Sequence, residues 1–340
     1  RAPLLSPLGK LTALKDLVLP RGGPPPGGDE SLASFVRRRL GREVLERIAQ
    51  PLIGGIYTAD AASLSLAATM PRFLEMERQG RSIILSLMRT ARDAPSSGTS
   101  GARYGLFLTL RGGLRTLVDR IAELLPPDSV RTGCRVEAIE SSGGGFRIRL
   151  GGASTEHADA VVMALPAPRA AECLSALDPA LASELREIRY ASSAIDALAY
   201  RRSDFPRPPD AFVVPIVEGR RLVAASFASI KSAGRAPDGQ ILLRAFVGGA
   251  LQPELFALDD EALARTAQEE LAELLGVRAE PLATRIYRHP ESMPQYRVGH
   301  PARVDALLER AARHPGLALA GNAYHGVGLA DCVRSGEEAA

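Results

Sequence analysis

A mixed α/β (α+β) fold with a helical insertion is what this sequence predicts, and three observations predict it. Near residue 135 the hydrophobic period changes from the 3.6-residue spacing of helices to the two-residue alternation of strands. Downstream of that change, strand-like and helix-like segments interleave. Near the C-terminus, Leu317-Ala-Leu-Ala-Gly321 leads through the glycine-punctuated stretch Asn322–Gly328 into Leu329, which reads as a buried strand, a turn and the first turn of a helix. Such a junction offers unpaired backbone N–H groups and a positive dipole end to an anion. Gly321, Gly326 and Gly328 let the backbone approach a flat or phosphorylated ligand, although the same glycines also serve a plain tight turn.

The elements follow in order. Residues 1–28 are rich in Pro and Gly, with Pro24-Pro25-Pro26-Gly27-Gly28 as a break. Asp29 reads as an N-cap, after which Leu32, Phe35, Val36, Leu40, Val44, Leu45 and Ile48 form a helical stripe. Arg37, Arg38 and Arg39 fall mostly on the opposite face and read as solvated. Helical patterns cover 71–79 and 81–92, and the polar loop 94–101 closes this lobe. Leu114, Leu117, Ile121 and Leu124 give residues 113–125 one apolar face. Segments 135–140 and 146–150 alternate around Ser-Ser-Gly-Gly-Gly and form a hairpin. Residues 160–165 read as a buried strand; further strands are expected at 189–200, 211–217, 221–230 and 241–249, and helices near 259–276 and 300–313.

Composition narrows the function classes. The 340 residues suffice for more than one lobe, and a net charge of +3 is too small to suggest a nucleic-acid polyanion as the main partner. Aromatic residues are 5% and Trp is absent, which argues against stacking platforms for single-stranded nucleic acid. Cys134, Cys173 and Cys332 are far apart, so a reduced cytoplasmic setting is expected, without a metal or a disulfide framework. Apolar runs such as 158–168 are too short to cross a bilayer. The first residues carry no signal-peptide h-region, and a chain opening on Arg1 suggests a start inside a longer one. H-E-x-x-H, G-x-S-x-G and the P-loop pattern are absent, as is the G-x-G-x-x-G that holds a dinucleotide pyrophosphate.

Four strings carry a specific resemblance. They are Pro51-Leu-Ile-Gly54-Gly55-Ile-Tyr57-Thr-Ala-Asp60, Arg111-Gly112-Gly113-Leu114 followed by Arg135-Val136, Arg285 to Pro301 with Met293-Pro-Gln-Tyr296-x-Val-Gly-His300, and Gly321-Asn322-x-Tyr324-x-Gly-Val327-Gly328-Leu329-x-Asp331-Cys332. Together, across nearly the whole chain, they resemble the protoporphyrinogen oxidases, the oxygen-dependent FAD enzymes of haem synthesis. The resemblance implies an FAD-binding Rossmann-like domain of the flavin amine oxidase type, a substrate-binding sheet domain and an inserted helical lobe. The expected divisions are a connecting segment at 1–28, the helical lobe at 29–107, FAD-binding parts at 108–170 and 300–340, and the sheet domain at 171–299.

By the same resemblance, Val327, Gly328 and Leu329 line the flavin, within a motif that includes Gly321 and Asn322, and Val136 meets the adenine end of FAD. His289 stands where the family usually has a Trp stacked near the flavin; imidazole can also stack or hydrogen-bond. Gly55 faces the tetrapyrrole, and Phe212, Val214 and Phe246 clamp it, although each also reads as ordinary sheet core, and Gly54-Gly55 as a helix stop. The implied reaction is six-electron oxidation of protoporphyrinogen IX to protoporphyrin IX with oxygen as acceptor. Coproporphyrinogen III is the alternative, another flavin amine oxidase chemistry a further one, and a non-catalytic fragment the reading from a different class. The implied partners are a porphyrinogen, molecular oxygen, a peripheral membrane surface and a second copy of the chain, with no nucleic acid and no metal. No side-chain base is evident, and His300 reads as a helix-start histidine. Without the pyrophosphate loop, the chain is expected to hold FAD weakly or to fold poorly.

Overall fold

The computed structural model describes residues 4–20, 22, 28–93, 109–207, 209, 213–216 and 219–340. The expected loop 94–101 and Phe212 lie outside them. Three hydrophobic cores organise the rest.

The first core belongs to the helical lobe. Leu32, Phe35, Val36, Val44 and Leu45 pack with Ile53, Leu64, Leu66 and Ile83, as the helical stripe predicts. The cap differs from expectation: Ser31, not Asp29, accepts from the Ser34 N–H, because only Ser31 directly precedes the Leu32–Leu40 helix. Asp29 instead accepts from the Gly299 N–H at 2.8 Å, tying the lobe to the start of the His300–Ala311 helix. The arginines also differ. Arg39 is buried and pairs with buried Asp16 at 2.6 Å, while Arg38 bridges Glu30 and Glu77. Asp16 further accepts from the Ser82 hydroxyl at 2.6 Å and the Ile84 N–H at 3.0 Å. A charge this deep persists only when paired and hydrogen-bonded, so Arg39 is a fastener and not a solvated face.

Strands β1 (Val136–Ser142), β2 (Gly145–Leu150) and β3 (Thr155–Ala158) form an antiparallel meander around the expected hairpin. Strand β4 (Val161–Met163) follows. The large sheet comprises β5 (Tyr190–Arg201), β6 (Val213–Pro215), β7 (Leu222–Phe227), β8 (Gln240–Gly248) and β9 (Ala283–Pro294), all antiparallel in the order β6-β7-β8-β5-β9. Strand β7 stops at Phe227, where a helical turn Ala228–Lys231 replaces the last residues of the expected strand. Strand β10 (Leu317–Leu319) pairs in parallel with β4. The helix Asp260–Leu275, capped by Asp259, seals one face of the large sheet with Leu263, Ala267 and Leu271 against Ala194, Leu198, Leu243, Ala245 and Val247.

The third core unites β4 and β10 with residues of the Ala167–Leu174, Pro179–Arg186 and His300–Ala311 helices. Leu174, Leu181, Leu185 and Ile188 belong to it, so this packing runs to Ile188, past the division expected at 170. Among the described residues no helix is long and apolar enough to cross a membrane.

Candidate functional site

The loop between β10 and the C-terminal helix Leu329–Ala339 is held by one buried phenol. The Tyr296 hydroxyl donates to the Asn322 carbonyl at 2.6 Å and accepts from the Gly326 N–H at 3.0 Å, drawing both ends of the loop to one atom. Burial pushes the Tyr296 pKa up, which keeps the donor protonated. Its ring stacks on His300, with centroids 4.0 Å apart and planes 14° apart. His300 Nε2 lies 3.0 Å from the Tyr324 carbonyl, a contact that requires Nε2–H as donor. Burial lowers the His300 pKa to about 4, so the ring is neutral at neutral pH. His300 is a structural helix-start residue, as its sequence position suggests. The Tyr296 pin was not legible as such: it lay inside a quoted motif, but its partners are 26 and 30 residues away.

The loop ends at the N-terminus of the Leu329–Ala339 helix, which has no side-chain cap. Its first amides have no intrahelical acceptor, and Gly328 and Leu329 are exposed there. Gly321 has φ +112° and open space where a Cβ would stand, while its N–H donates to the Ser335 hydroxyl at 3.0 Å. Gly326 has a different reason: a Cβ there would stand 2.5 Å from the Asp331 carboxylate, which folds back over the loop from the first helical turn. Free amides, an exposed apolar Leu329 and a backbone bare of side chains suit the polar edge and flat face of a flavin. The described residues of this loop therefore fit the cofactor. Val327 packs partly against the helical-lobe core.

A second surface lies on the large sheet, whose strand β9 leads into Tyr296. Opposite the Asp260–Leu275 helix, the large sheet presents successive rows set by its register. Ser226, Arg244, Ala197 and Arg285 form one; Ala224, Phe246, Ile195 and Tyr287 the next; Gly248, Ser193 and His289 a third. The helix Gln50–Tyr57 lies against this face. A Cβ on Gly54 would stand 3.4 Å from Val223 Cγ1, and one on Gly55 3.7 Å from the Ala224 Cβ. The glycine pair is thus inside the helix and not its stop; Thr58, at φ 49°, takes the left-handed end position. Tyr57, at the end of that helix, has its pKa raised by burial and then by the charge of Asp331. Tyr57 and the loop residue Val327 pack against the same helical-lobe core.

The structure brings several expected site residues together and separates others. Gly321, Asn322, Val327, Gly328 and Leu329 share the pinned loop. Gly55 and Phe246 meet through Ala224, and exposed His289 lies on the same sheet face. Val214 pairs with Ala225, in the register row of Ala245 and Asp196 and not in that of Phe246, because β6 enters the sheet one residue out of step with the expected clamp. Val136 sits at the start of β1, where its carbonyl faces the Cys173 thiol at 3.5 Å; it belongs to the β4–β10 core and not to the loop. Among the described residues no cluster of His, Cys, Asp or Glu could hold a metal.

The sequence matches the profile described as flavin containing amine oxidoreductase over residues 20–340. It is 34% identical to the coproporphyrinogen III oxidase of Bacillus subtilis (strain 168), covering 99% of this chain and 71% of that protein. It is 31% identical to the protoporphyrinogen oxidase of Bos taurus, over 96% of this chain and 71% of that one. A solved candidate protoporphyrinogen oxidase from Exiguobacterium sp. 255-15 superposes with a TM-score of 0.82 at 29% identity, covering 98% of this chain and 71% of that one. Family match, fold and pinned flavin-type loop agree: the chain belongs to the flavin containing amine oxidoreductases, FAD-dependent enzymes.

Proposed function

We propose that this chain oxidises a porphyrinogen to a porphyrin in haem biosynthesis, passing hydride equivalents to FAD and from there to oxygen. The observation that carries the reading is the apolar row Ala224–Phe246–Ile195–Tyr287, with Gly55 close against it, on a sheet whose strand β9 runs on into Tyr296, the pin of the loop. A large apolar macrocycle, nonplanar as a porphyrinogen is, needs such a wall and a nearby redox ring. The relatives named for porphyrinogens support the same reading.

FAD, when bound, supplies the two-electron chemistry that no side chain here offers. Val327, Gly328 and Leu329 would hold the ring edge, with the first amides of the Leu329–Ala339 helix favouring negative charge there. Tyr296 fixes the loop without touching the reacting atoms, and His289 would border the macrocycle from the sheet side. Gly321 and Asn322 shape the loop, and Val136 would meet the cofactor's far end. The sheet face orients the substrate and excludes water, which is the protein's main contribution to rate.

Coproporphyrinogen III is the preferred substrate in this reading, in view of the name of the Bacillus subtilis relative; protoporphyrinogen IX, first by motif resemblance, is kept as the second because of the Bos taurus relative. A cytoplasmic site of action, at most peripheral to a membrane, is supported by three free cysteines. The test is an aerobic assay of the FAD-reconstituted protein with each porphyrinogen. Porphyrin fluorescence that grows only with bound FAD supports the proposal. No porphyrin above the spontaneous rate from either substrate sinks it.

A further inference from the structure

Among the described residues, the open face of the large sheet carries a cation with no carboxylate in contact. Arg244 of β8 lies half-buried in the row Ser226–Arg244–Ala197–Arg285. Its recorded contacts among the described residues are Ser226 Oγ, 3.5 Å from Nε, and the Phe246 ring, 5.3 Å from the guanidinium carbon. Neither is an anion. Other arginines differ: Arg38, Arg131, Arg221 and Arg310 are each held protonated by a neighbouring carboxylate. Burial pushes the Arg244 pKa down. A desolvated guanidinium is costly until an anion meets it. On the opposite face the carboxylate of Asp196, paired in register with Ala245, lies across the sheet from Arg244 and accepts from the Thr284 hydroxyl at 2.7 Å.

The next row along the strands is the apolar one, about 7 Å away by two residues of strand rise. The wall is therefore apolar with a guanidinium border. Half-buried Arg244 forms the inner end of that border, and exposed Arg285, two strands away on the sheet edge, the outer end. An apolar macrocycle with carboxylates at its rim matches both features, and Arg meets a carboxylate with two parallel hydrogen bonds.

We propose that Arg244 binds a propionate of the substrate at the inner end of this face and so favours coproporphyrinogen III over protoporphyrinogen IX. The inference rests on the porphyrinogen reading above. The outer end, with Arg285 and solvent, accepts any propionate. At the inner end a vinyl group leaves Arg244 unpaired, whereas a third or fourth propionate satisfies it. Coproporphyrinogen III carries propionates where protoporphyrinogen IX has its two vinyls. Arg244 is accordingly a positioning residue that sets substrate choice and takes no part in electron transfer.

The test uses the FAD-loaded full chain with Arg244→Gln and Arg244→Lys. It reads KM and kcat for both porphyrinogens, and Kd for coproporphyrin III and protoporphyrin IX from porphyrin fluorescence. Loss of one charge-assisted hydrogen-bonded pair predicts KM and Kd for the tetracarboxylate about tenfold or more higher in Arg244→Gln. The dicarboxylate values and both kcat values stay within about threefold, and Arg244→Lys recovers part of the loss. An equal loss for both ligands means a structural role and overturns the proposal, as does no loss for either. Should Arg244→Gln fail to fold, Arg244→Lys decides alone: weaker tetracarboxylate binding with an unchanged dicarboxylate supports the assignment, and parallel changes or none refute it. A wild-type protein that binds and turns over neither ligand removes the porphyrinogen reading itself, and this inference with it.

Discussion

Two helices of this chain carry the same amphipathic pattern and meet different surroundings. Asp260–Leu275 lays Leu263, Ala267 and Leu271 on five strands, and all three are at most 1% exposed. Arg115–Leu124 presents Leu117, Val118, Ile121 and Leu124, which remain 43–69% exposed. The two-stranded β4–β10 pair likewise leaves Val162 exposed. Apolar periodicity thus specifies a helix, whereas burial depends on whether a partner surface exists. The large sheet is held by packing. The loop before the Leu329–Ala339 helix is held by individual hydrogen bonds through Tyr296 and Ser335.

The largest contrast should come from matched truncations. Leu271→Ala removes a fully buried side chain and is expected to cost about 2–5 kcal/mol. Leu117→Ala should change stability by no more than about 0.5 kcal/mol. Urea melts followed by circular dichroism measure both; similar losses would erase the distinction between the regions.

Acid should weaken the loop before the sheet. The His300 pKa falls to about 4 from an ordinary 6.5, so between these values the unfolded chain binds the extra proton. Stability is therefore complete above pH 6.5, declines as pH falls toward 4, and levels off below it; the loss is about 3 kcal/mol. His300→Gln should flatten that window of the stability–pH curve, and an unchanged slope would show that His300 is not its source.

Tyr296→Phe deletes the hydroxyl alone. The Asn322 carbonyl and the Gly326 N–H lose their shared partner, at about 1–3 kcal/mol. Flavin titration should show weaker FAD binding in this variant, with the thermal transition of the sheet unchanged. Unaltered flavin affinity would separate the pin from the cofactor. The smallest effect on stability is expected for Leu117→Gln with Ile121→Gln, within about 0.5 kcal/mol, accompanied by a clear drop in binding of an apolar dye. Persistent dye binding would place the open apolar surface elsewhere.

These contrasts follow what was legible in the sequence. The helices at 71–79, 115–124, 260–275 and 300–311 and the hairpin at 136–150 follow from apolar period alone. Strand β9 escaped because it is an edge strand with Arg285, Tyr287 and His289 exposed on one face and Pro290 near a register shift, so its alternation is masked by polar residues. The helix through Gly54-Gly55 runs against local propensity and forms where small residues let it press on Val223 and Ala224. Candidate loop residues were visible as a motif. Tyr296, Ser335 and Arg244 act through partners distant in sequence, which no spacing rule reveals.

The central claim is that bound FAD accepts electrons from a porphyrinogen on the Phe246 face. It is tested most directly by mixing the FAD-loaded protein with coproporphyrinogen III in the absence of oxygen while recording the visible spectrum. The account predicts that the oxidised flavin band bleaches in a single two-electron round per FAD, and that admitting air restores the band while porphyrin absorption rises. A flavin band that stays at full height beside excess porphyrinogen would contradict it.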